Sequence, residues 1–332
     1  MAKVVLHIGP HKTGTSYIQR RLFANRARLE QAGLYYPDIG PNPAHHILTA
    51  KWIPNPDFDR SLKSHGGIDA LWTKIIDTYA PKDGTLILSG EPFTRLEPAR
   101  VDFKELAGLL SPFDEVRIVY YARDPIALTQ SIWQEVAKSG RLPAIQGFVQ
   151  RAIATGLASG VPVDHNLVLD TLEEGFCPDQ ITIFDYETVK TLPGGILQAL
   201  LNVTGSNLVA EGTLKETKQA NTSPDPLAQL LATELTTPAR PPHAIYDAAR
   251  QALLDRFDKA PTTIFTPAQI ATLKASFVEK NQRFEKRVQQ HSPAFSMSPN
   301  RIDPQTHVTP RQVGPGVTAA IARQIYQLER IL

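Results

Sequence analysis

Four short apolar runs, each bounded by turn residues, constrain this chain more than any other feature. They occupy residues 4–8, 85–89, 116–122 and 181–184. Runs of this length without polar alternation read as strands buried on both faces, which is the habit of parallel sheets. Helical spacing lies between them. The first run predicts a following helix over 15–32, with Ile18, Leu22 and Leu29 on one face and Gly33 as its C-terminal cap. Further helices are expected over 68–79, 103–110 and from Pro125 to about Lys138, and a short strand over 34–36. Residues 44–52 read as a short helix, and 57–67 as irregular. The alternation predicts an α/β fold with three α/β/α layers and a mostly parallel central sheet. Ligands of such sheets sit at the carboxyl ends of the strands. Gly9 to Ser16, Gly90-Glu91 and Arg123-Asp124 are therefore the segments to weigh.

From about Pro224 the strands stop. Residues 227–235, 243–257 and 267–289 read as helices, 292–316 as a proline-rich wrapping segment, and 317–332 as an amphipathic helix with Ile321, Ile325, Leu328 and Leu332 on one face. The expected organisation is an α/β core over 1–223 with a helical extension, 224–332, packed on it as one structural domain. The last helix should dock on that core or, as the lesser expectation, on a second copy in a homo-oligomer.

Composition excludes several classes. Lys plus Arg number 35 against 33 Asp plus Glu among 332 residues, a net charge of +2, so a coat for nucleic acid is not expected. The single cysteine, Cys177, excludes an internal disulfide framework and a Cys-rich zinc site, and is expected to be a semi-buried thiol. The apolar run 4–8 is too short for a signal-peptide core, and no run of 18 apolar residues occurs, so the expected location is cytoplasmic without a transmembrane segment.

The first loop reads Gly9-Pro10-His11-Lys12-Thr13-Gly14-Thr15-Ser16. A strand, a glycine-bounded loop and a helix start make an anion cradle, because free N–H groups converge there and the helix dipole favours negative charge. In the triphosphate-binding pattern G-x-x-x-x-G-K-[ST], lysine follows the second glycine. Here Thr15 stands at that place, Ser16 keeps the Ser/Thr place, and the lysine has moved into the loop as Lys12. A lysine in the loop crown suits a shorter ligand than a triphosphate.

The stretch Leu6-His7-Ile8-Gly9-Pro10-His11-Lys12-Thr13-Gly14-Thr15-Ser16 resembles the 5′-phosphosulfate loop of the sulfotransferase family, in its bacterial branch. Ser16 is often Thr there, and Tyr17 replaces smaller residues. The family also places an arginine after a later strand and a serine eight positions on, both on the donor's 3′-phosphate. Arg123 and Ser131 match that spacing. A forked guanidinium suits phosphate, although Arg123 taken alone could simply pair with Asp124. The resemblance covers about residues 3–203, including Tyr186-Glu187. It implies a P-loop-like fold and 3′-phosphoadenosine 5′-phosphosulfate as cosubstrate, held by Lys12, Thr13, Gly14, Thr15, Ser16, Arg123 and Ser131, with no metal. The acceptor would be a saccharide, lipid or small molecule.

Sulfuryl transfer needs an acceptor deprotonated in line with sulfur and positive charge at the leaving phosphate. Lys12 suits the second role. Glu91, after the run 85–89, is the favoured base, and carbohydrate-acting members of the family look similar in using a glutamate. Glu91 could equally cap a helix or pair with Arg95. His11 and His46 are the rival bases, with His45-His46 either lining a cleft or lying on the surface. His7 is expected to be a satisfied core histidine. Arg20, Arg21, Arg26 and Arg28 read as a solvated helix face, as do residues 280–287 with Phe284 turned inward. Two alternatives stay open. One is a P-loop small-molecule kinase or nucleoside-triphosphatase, with Asp185 as its Mg²⁺-holding residue. The other is a non-catalytic nucleotide-binding module.

Overall fold

A computed structural model of the chain describes residues 1–139, 143–209, 212–215 and 224–329. In chain order the first half contains β1 (Ala2–His7), α1 (Thr15–Ala24), α2 (Arg26–Gln31), β2 (Leu34–Tyr35), α3 (Asp59–Ser64), α4 (Ile68–Tyr79), β3 (Gly84–Ser89), α5 (Phe103–Leu110), β4 (Glu115–Ala122), α6 (Pro125–Ala137) and α7 (Ile145–Thr155). It continues with β5 (Leu157–Ala158), β6 (Val161–Pro162), α8 (His165–Leu172), β7 (Ile181–Asp185), α9 (Tyr186–Val189), α10 (Gly195–Val203), α11 (Pro226–Thr236), α12 (His243–Phe257), α13 (Pro267–Gln289) and α14 (Pro315–Glu329). The chain divides into two compact units. The first comprises residues 1–123, 160–220 and 281–298, and the second 124–159, 221–280 and 299–332.

The first unit is built on a five-stranded sheet in the order β2-β3-β1-β4-β7, with every pairing parallel. Alternate residues of the strands feed two separate cores, as the strand period of two requires. Val4, Leu6, Leu86, Leu88, Ile118 and Tyr120 pack with Trp72 and Ile75 of α4, Leu106 of α5, Leu169 of α8 and Phe284 of α13. On the other face Val5, Ile87, Val119 and Tyr121 pack with Ile18 and Leu22 of α1, Leu29 of α2, and Leu197 and Leu200 of α10. The α/β/α layering follows from this double burial.

The second unit is helical. Within it α6 packs on α11, α11 on α12, and α12 on α14. The amide of Gln130 on α6 fixes the segment before α13, accepting from Thr263 Oγ1 at 2.7 Å and the Ile264 N–H at 3.1 Å. Ile321 of α14 is buried, and the side chains of Leu328 and Leu332 lie outside the described residues.

Local expectations are corrected in five places. The helix expected over 15–32 is two helices, broken at Asn25. The break has a use. The Asn25 side chain accepts from Lys215 N–H at 2.8 Å and donates to the Lys215 carbonyl at 3.1 Å. Secondly, the arginine face is only partly solvated: Arg20 and Arg28 are exposed as expected, but Arg21 is buried and donates to the Leu214 carbonyl at 3.1 Å, while Arg28 donates to Thr213 and Arg26 pairs with Asp38 at 2.7 Å. Thirdly, the region expected to be irregular contains a single 3₁₀ turn and α3. Fourthly, Cys177 is exposed rather than semi-buried. Lastly, Arg287 is not merely a surface residue, since it pairs with Asp170 at 2.6 Å and Glu173 at 2.8 Å.

Candidate functional site

The loop from Gly9 to Gly14 leaves the carboxyl end of β1 at the centre of the sheet and delivers the chain into α1. The Tyr17 and Ile18 N–H groups both donate to the Gly14 carbonyl, at 2.9 and 3.2 Å, so within α1 only the N–H groups of Thr15 and Ser16 lie ahead of the helical ladder. They make the concave donor surface expected of an anion loop. Gly14 takes φ 77° as the residue preceding α1. Lys12 takes φ 70°, an uncommon conformation for a residue with a side chain. The Thr13 hydroxyl closes the loop on itself by donating to the Pro10 carbonyl at 2.8 Å. Ser16 is exposed.

Beside this loop stands the carboxyl end of β3, which carries Gly90 and Glu91. Gly9 takes φ 99°, and a Cβ there would lie 3.2 Å from Glu91 Cα. The first glycine is therefore needed both for its conformation and for the closeness of the next segment. Gly9→Ala should cost about 1–3 kcal/mol through strain and displaced backbone, and a urea titration of the variant measures it.

Glu91 is 4% exposed, yet three side chains serve its carboxylate. Thr15 donates to Oε1, His46 meets Oε2, and the Gln19 amide donates to Oε2 at 3.3 Å. Burial by itself works against ionisation. The His46 hydrogen bond, the His46 and His11 charges and the Thr15 hydroxyl outweigh it, and hold the carboxyl well below the usual range. A carboxylate only accepts, so His46 donates from Nε2. The His46 side chain is 26% exposed against 5% for Glu91, so the histidine forms the outward end of the pair.

A buried polar network, missed in the sequence, continues inward. Gln19 also donates to Ser89 Oγ at 3.2 Å, and Ser89 Oγ meets His7 Nδ1 at 2.8 Å. His7 is thus only half satisfied, since its buried Nε2 has no hydrogen-bond partner among the described residues. Burial pushes its pKa down to about 4. His45 and His46 have separate roles. His45 is buried, donates from Nε2 to the Pro37 carbonyl at 2.9 Å, and accepts the Ser89 N–H on Nδ1 at 3.0 Å. Those two bonds require its neutral form. The one signal that could have found Gln19 was its position one helical turn after Thr15.

Arg123, at the end of β4, donates from Nη1 to the Lys12 carbonyl at 2.6 Å and lies over the Tyr186 ring at 5.3 Å. Its buried Nε has no hydrogen-bond partner among the described residues. His165 of α8 holds the Arg123 carbonyl from Nε2 at 2.7 Å and accepts from the Tyr120 hydroxyl on Nδ1 at 2.7 Å. The structure therefore brings Lys12, Thr13, Gly14, Thr15, Ser16, His11, His46, Glu91 and Arg123 into one region of the first unit. Ser131 lies on α6 in the second unit, where it is buried. Asp185 caps α9. Its carboxylate accepts from the Thr188 N–H and hydroxyl at 2.8 and 2.7 Å and from the Ser298 N–H and hydroxyl at 3.0 and 2.6 Å. No helix among the described residues is long and apolar enough to cross a membrane.

No protein-family model matches the chain, and no curated protein does. Among solved structures it is similar to mouse sulfotransferase SULT7A1 complexed with PAP, at 13% identity and TM-score 0.43, covering 89% of each chain. It is similar to a sulfotransferase from Alicyclobacillus acidocaldarius, at 13% identity and TM-score 0.39, covering 69% of this chain and 89% of that one. It is also similar to retinol dehydratase in complex with androsterone and inactive cofactor PAP, at 14% identity and TM-score 0.38, covering 84% of this chain and 80% of that one.

Proposed function

We propose that the chain is a sulfotransferase, moving a sulfuryl group from 3′-phosphoadenosine 5′-phosphosulfate to a hydroxyl or amine of a saccharide, lipid or small molecule. One observation carries this reading. A strand–loop–helix anion cradle, with its lysine in the loop crown, stands beside the buried Glu91 carboxylate that follows the neighbouring strand and its partner His46, which opens the 3₁₀ turn His46–Lys51. The cradle suits one phosphate and its attached group. The pair suits removal of a proton.

His46 fits the role of base better than Glu91. Glu91 has both oxygens engaged and a strongly depressed pKa, whereas a base works best with its pKa near the operating pH. Glu91 fixes the histidine tautomer, so Nδ1 of His46 is the atom that takes the acceptor's proton. As the acceptor oxygen or nitrogen bonds to sulfur, the bond from sulfur to the 5′-phosphate oxygen breaks. The negative charge released there falls to Lys12 and the loop N–H groups, whose fixed placement lowers the barrier. The Arg123 guanidinium, braced by the Lys12 carbonyl and by His165 behind its own carbonyl, suits the donor's 3′-phosphate. The kinase reading is weakened because four donors already occupy the Asp185 carboxylate.

Calorimetry with 3′-phosphoadenosine 5′-phosphate and with ATP tests the proposal. The former should bind selectively, and Lys12→Ala or Arg123→Ala should each weaken it about tenfold or more. Equal or tighter ATP binding would overturn the assignment. Selective nucleotide binding without transfer to any acceptor would favour the binding module.

A further inference from the structure

Thr15 occupies a place where a side-chain hydroxyl is expected to face the nucleotide. The structure uses that hydroxyl differently. Thr15 is 3% exposed, and its Oγ1 donates to Glu91 Oε1. A hydroxyl has one proton, and once it is given to a carboxylate only lone pairs remain. Lone pairs repel an anionic phosphate. The Thr13 hydroxyl is likewise committed, to the Pro10 carbonyl, which leaves Ser16 as the exposed hydroxyl of the cradle.

One turn further along α1, the Gln19 amide donates to Glu91 Oε2 and to Ser89 Oγ. Thr15 and Gln19 are spaced i and i+4 and so share a helix face, which is the buried one here. The helix whose start frames the anion loop thus also carries two of the donors that fix Glu91. The third is His46 itself.

We propose that Thr15, assisted by Gln19, is a positioning residue for the Glu91–His46 pair and not a side-chain ligand of the nucleotide. The proposal rests on the sulfotransferase reading for the role of that pair. The Thr15 N–H still belongs to the cradle, while its side chain ties the cradle to the base. Without the hydroxyl, Glu91 keeps its His46 and Gln19 partners but loses the contact that stops it rotating. The His46 imidazole keeps its tautomer but is held less firmly, and its Nε2–H bond to Glu91 opens more often.

The test compares wild type with Thr15→Val, which removes the hydroxyl at nearly constant shape, and Thr15→Ser, which keeps it. Two quantities are measured on the intact chain. One is affinity for 3′-phosphoadenosine 5′-phosphate by calorimetry. The other is the exchange rate, by NMR, of the His46 Nε2 proton shielded by Glu91. Thr15→Val should leave the affinity within about twofold and speed the exchange about tenfold or more, and Thr15→Ser should restore the wild-type rate. Gln19→Met should act in the same direction as Thr15→Val, and it decides the matter should that variant not fold. An affinity loss of about tenfold with the His46 proton unchanged would overturn the proposal and return Thr15 to the nucleotide. Failure of wild type to bind the nucleotide would sink the sulfotransferase reading instead. The exchange rates would still show whether Thr15 holds the pair.

Discussion

Acidification from about pH 6.5 to about pH 4 should remove several kcal/mol of stability from the first unit, on the order of 6 kcal/mol, well before general acid denaturation. His7 and His45 are fully buried, and burial lowers each from 6.5 to about 4. The sign follows from linkage. In the folded state these imidazoles resist protonation, while in the unfolded chain they accept it near 6.5. Their neutral-state stabilisation is therefore complete above that value and is lost as pH falls towards 4. Each contributes about 3 kcal/mol across this window, because one pKa unit corresponds to about 1.4 kcal/mol. Two such groups compare with a total stability of about 5–15 kcal/mol for a typical domain. His165 is lowered by burial too, and adds in the same direction. Glu91 extends the trend, since its depressed carboxyl gives up stability only below its unfolded value of 4.5.

The structural cause is most explicit at His45. Protonation would set an Nδ1–H against the Ser89 N–H, so one bond becomes a repulsion. Urea midpoints between about pH 7.5 and about pH 5 measure the effect. His45→Gln, which keeps a donor and an acceptor without a titrating group, should flatten the dependence markedly. A midpoint that does not move with pH would contradict the burial of these histidines.

The sheet was legible because its strands are short apolar runs, and the cradle because glycine, lysine and hydroxyl residues stand at fixed spacing between a strand and a helix. Both are local signals. Glu91 was legible through topology alone: a residue after a strand lies at the sheet edge where ligands collect. The rest was hidden because it depends on pairings distant in sequence. Nothing near Thr15 announces that its hydroxyl crosses to residue 91, and nothing near His45 shows that it serves the Ser89 backbone while His46 serves Glu91. The arginines of α1 and α2 misled for the same reason. Their partners, the carbonyls of Thr213 and Leu214, are almost the length of the core away in sequence, so charge alone suggested a solvated face. Asp185 shows the converse. Its position at the end of β7 imitates a metal-holding residue, but four donors occupy its carboxylate.

Lys12→Gly should abolish transfer while leaving the fold as stable as before or slightly more so. These two effects seldom separate at a charged residue, and here the backbone separates them. Lys12 adopts φ 70°, where a side chain costs about 1–2 kcal/mol and glycine costs little. The relief is offset in part by the greater freedom of glycine in the unfolded chain, worth up to about 1 kcal/mol. The loop is tied to β4 by its backbone, where the Tyr121 N–H donates to the Gly9 carbonyl at 3.1 Å and Arg123 Nη1 donates to the Lys12 carbonyl, and both bonds survive the substitution. What disappears is the side chain, with its ammonium group and the contacts that group makes. If it neutralises the leaving phosphate, turnover falls about 10²–10³-fold, the effect of removing one preorganised donor from a developing anion. Alanine is the less informative variant, because it removes the charge and keeps the backbone strain. Urea midpoints and transfer rates on the same preparations settle the comparison. Transfer at wild-type rate would take Lys12 out of the leaving-group role. A large loss of stability would instead show that its side chain, and not only its carbonyl, holds the loop.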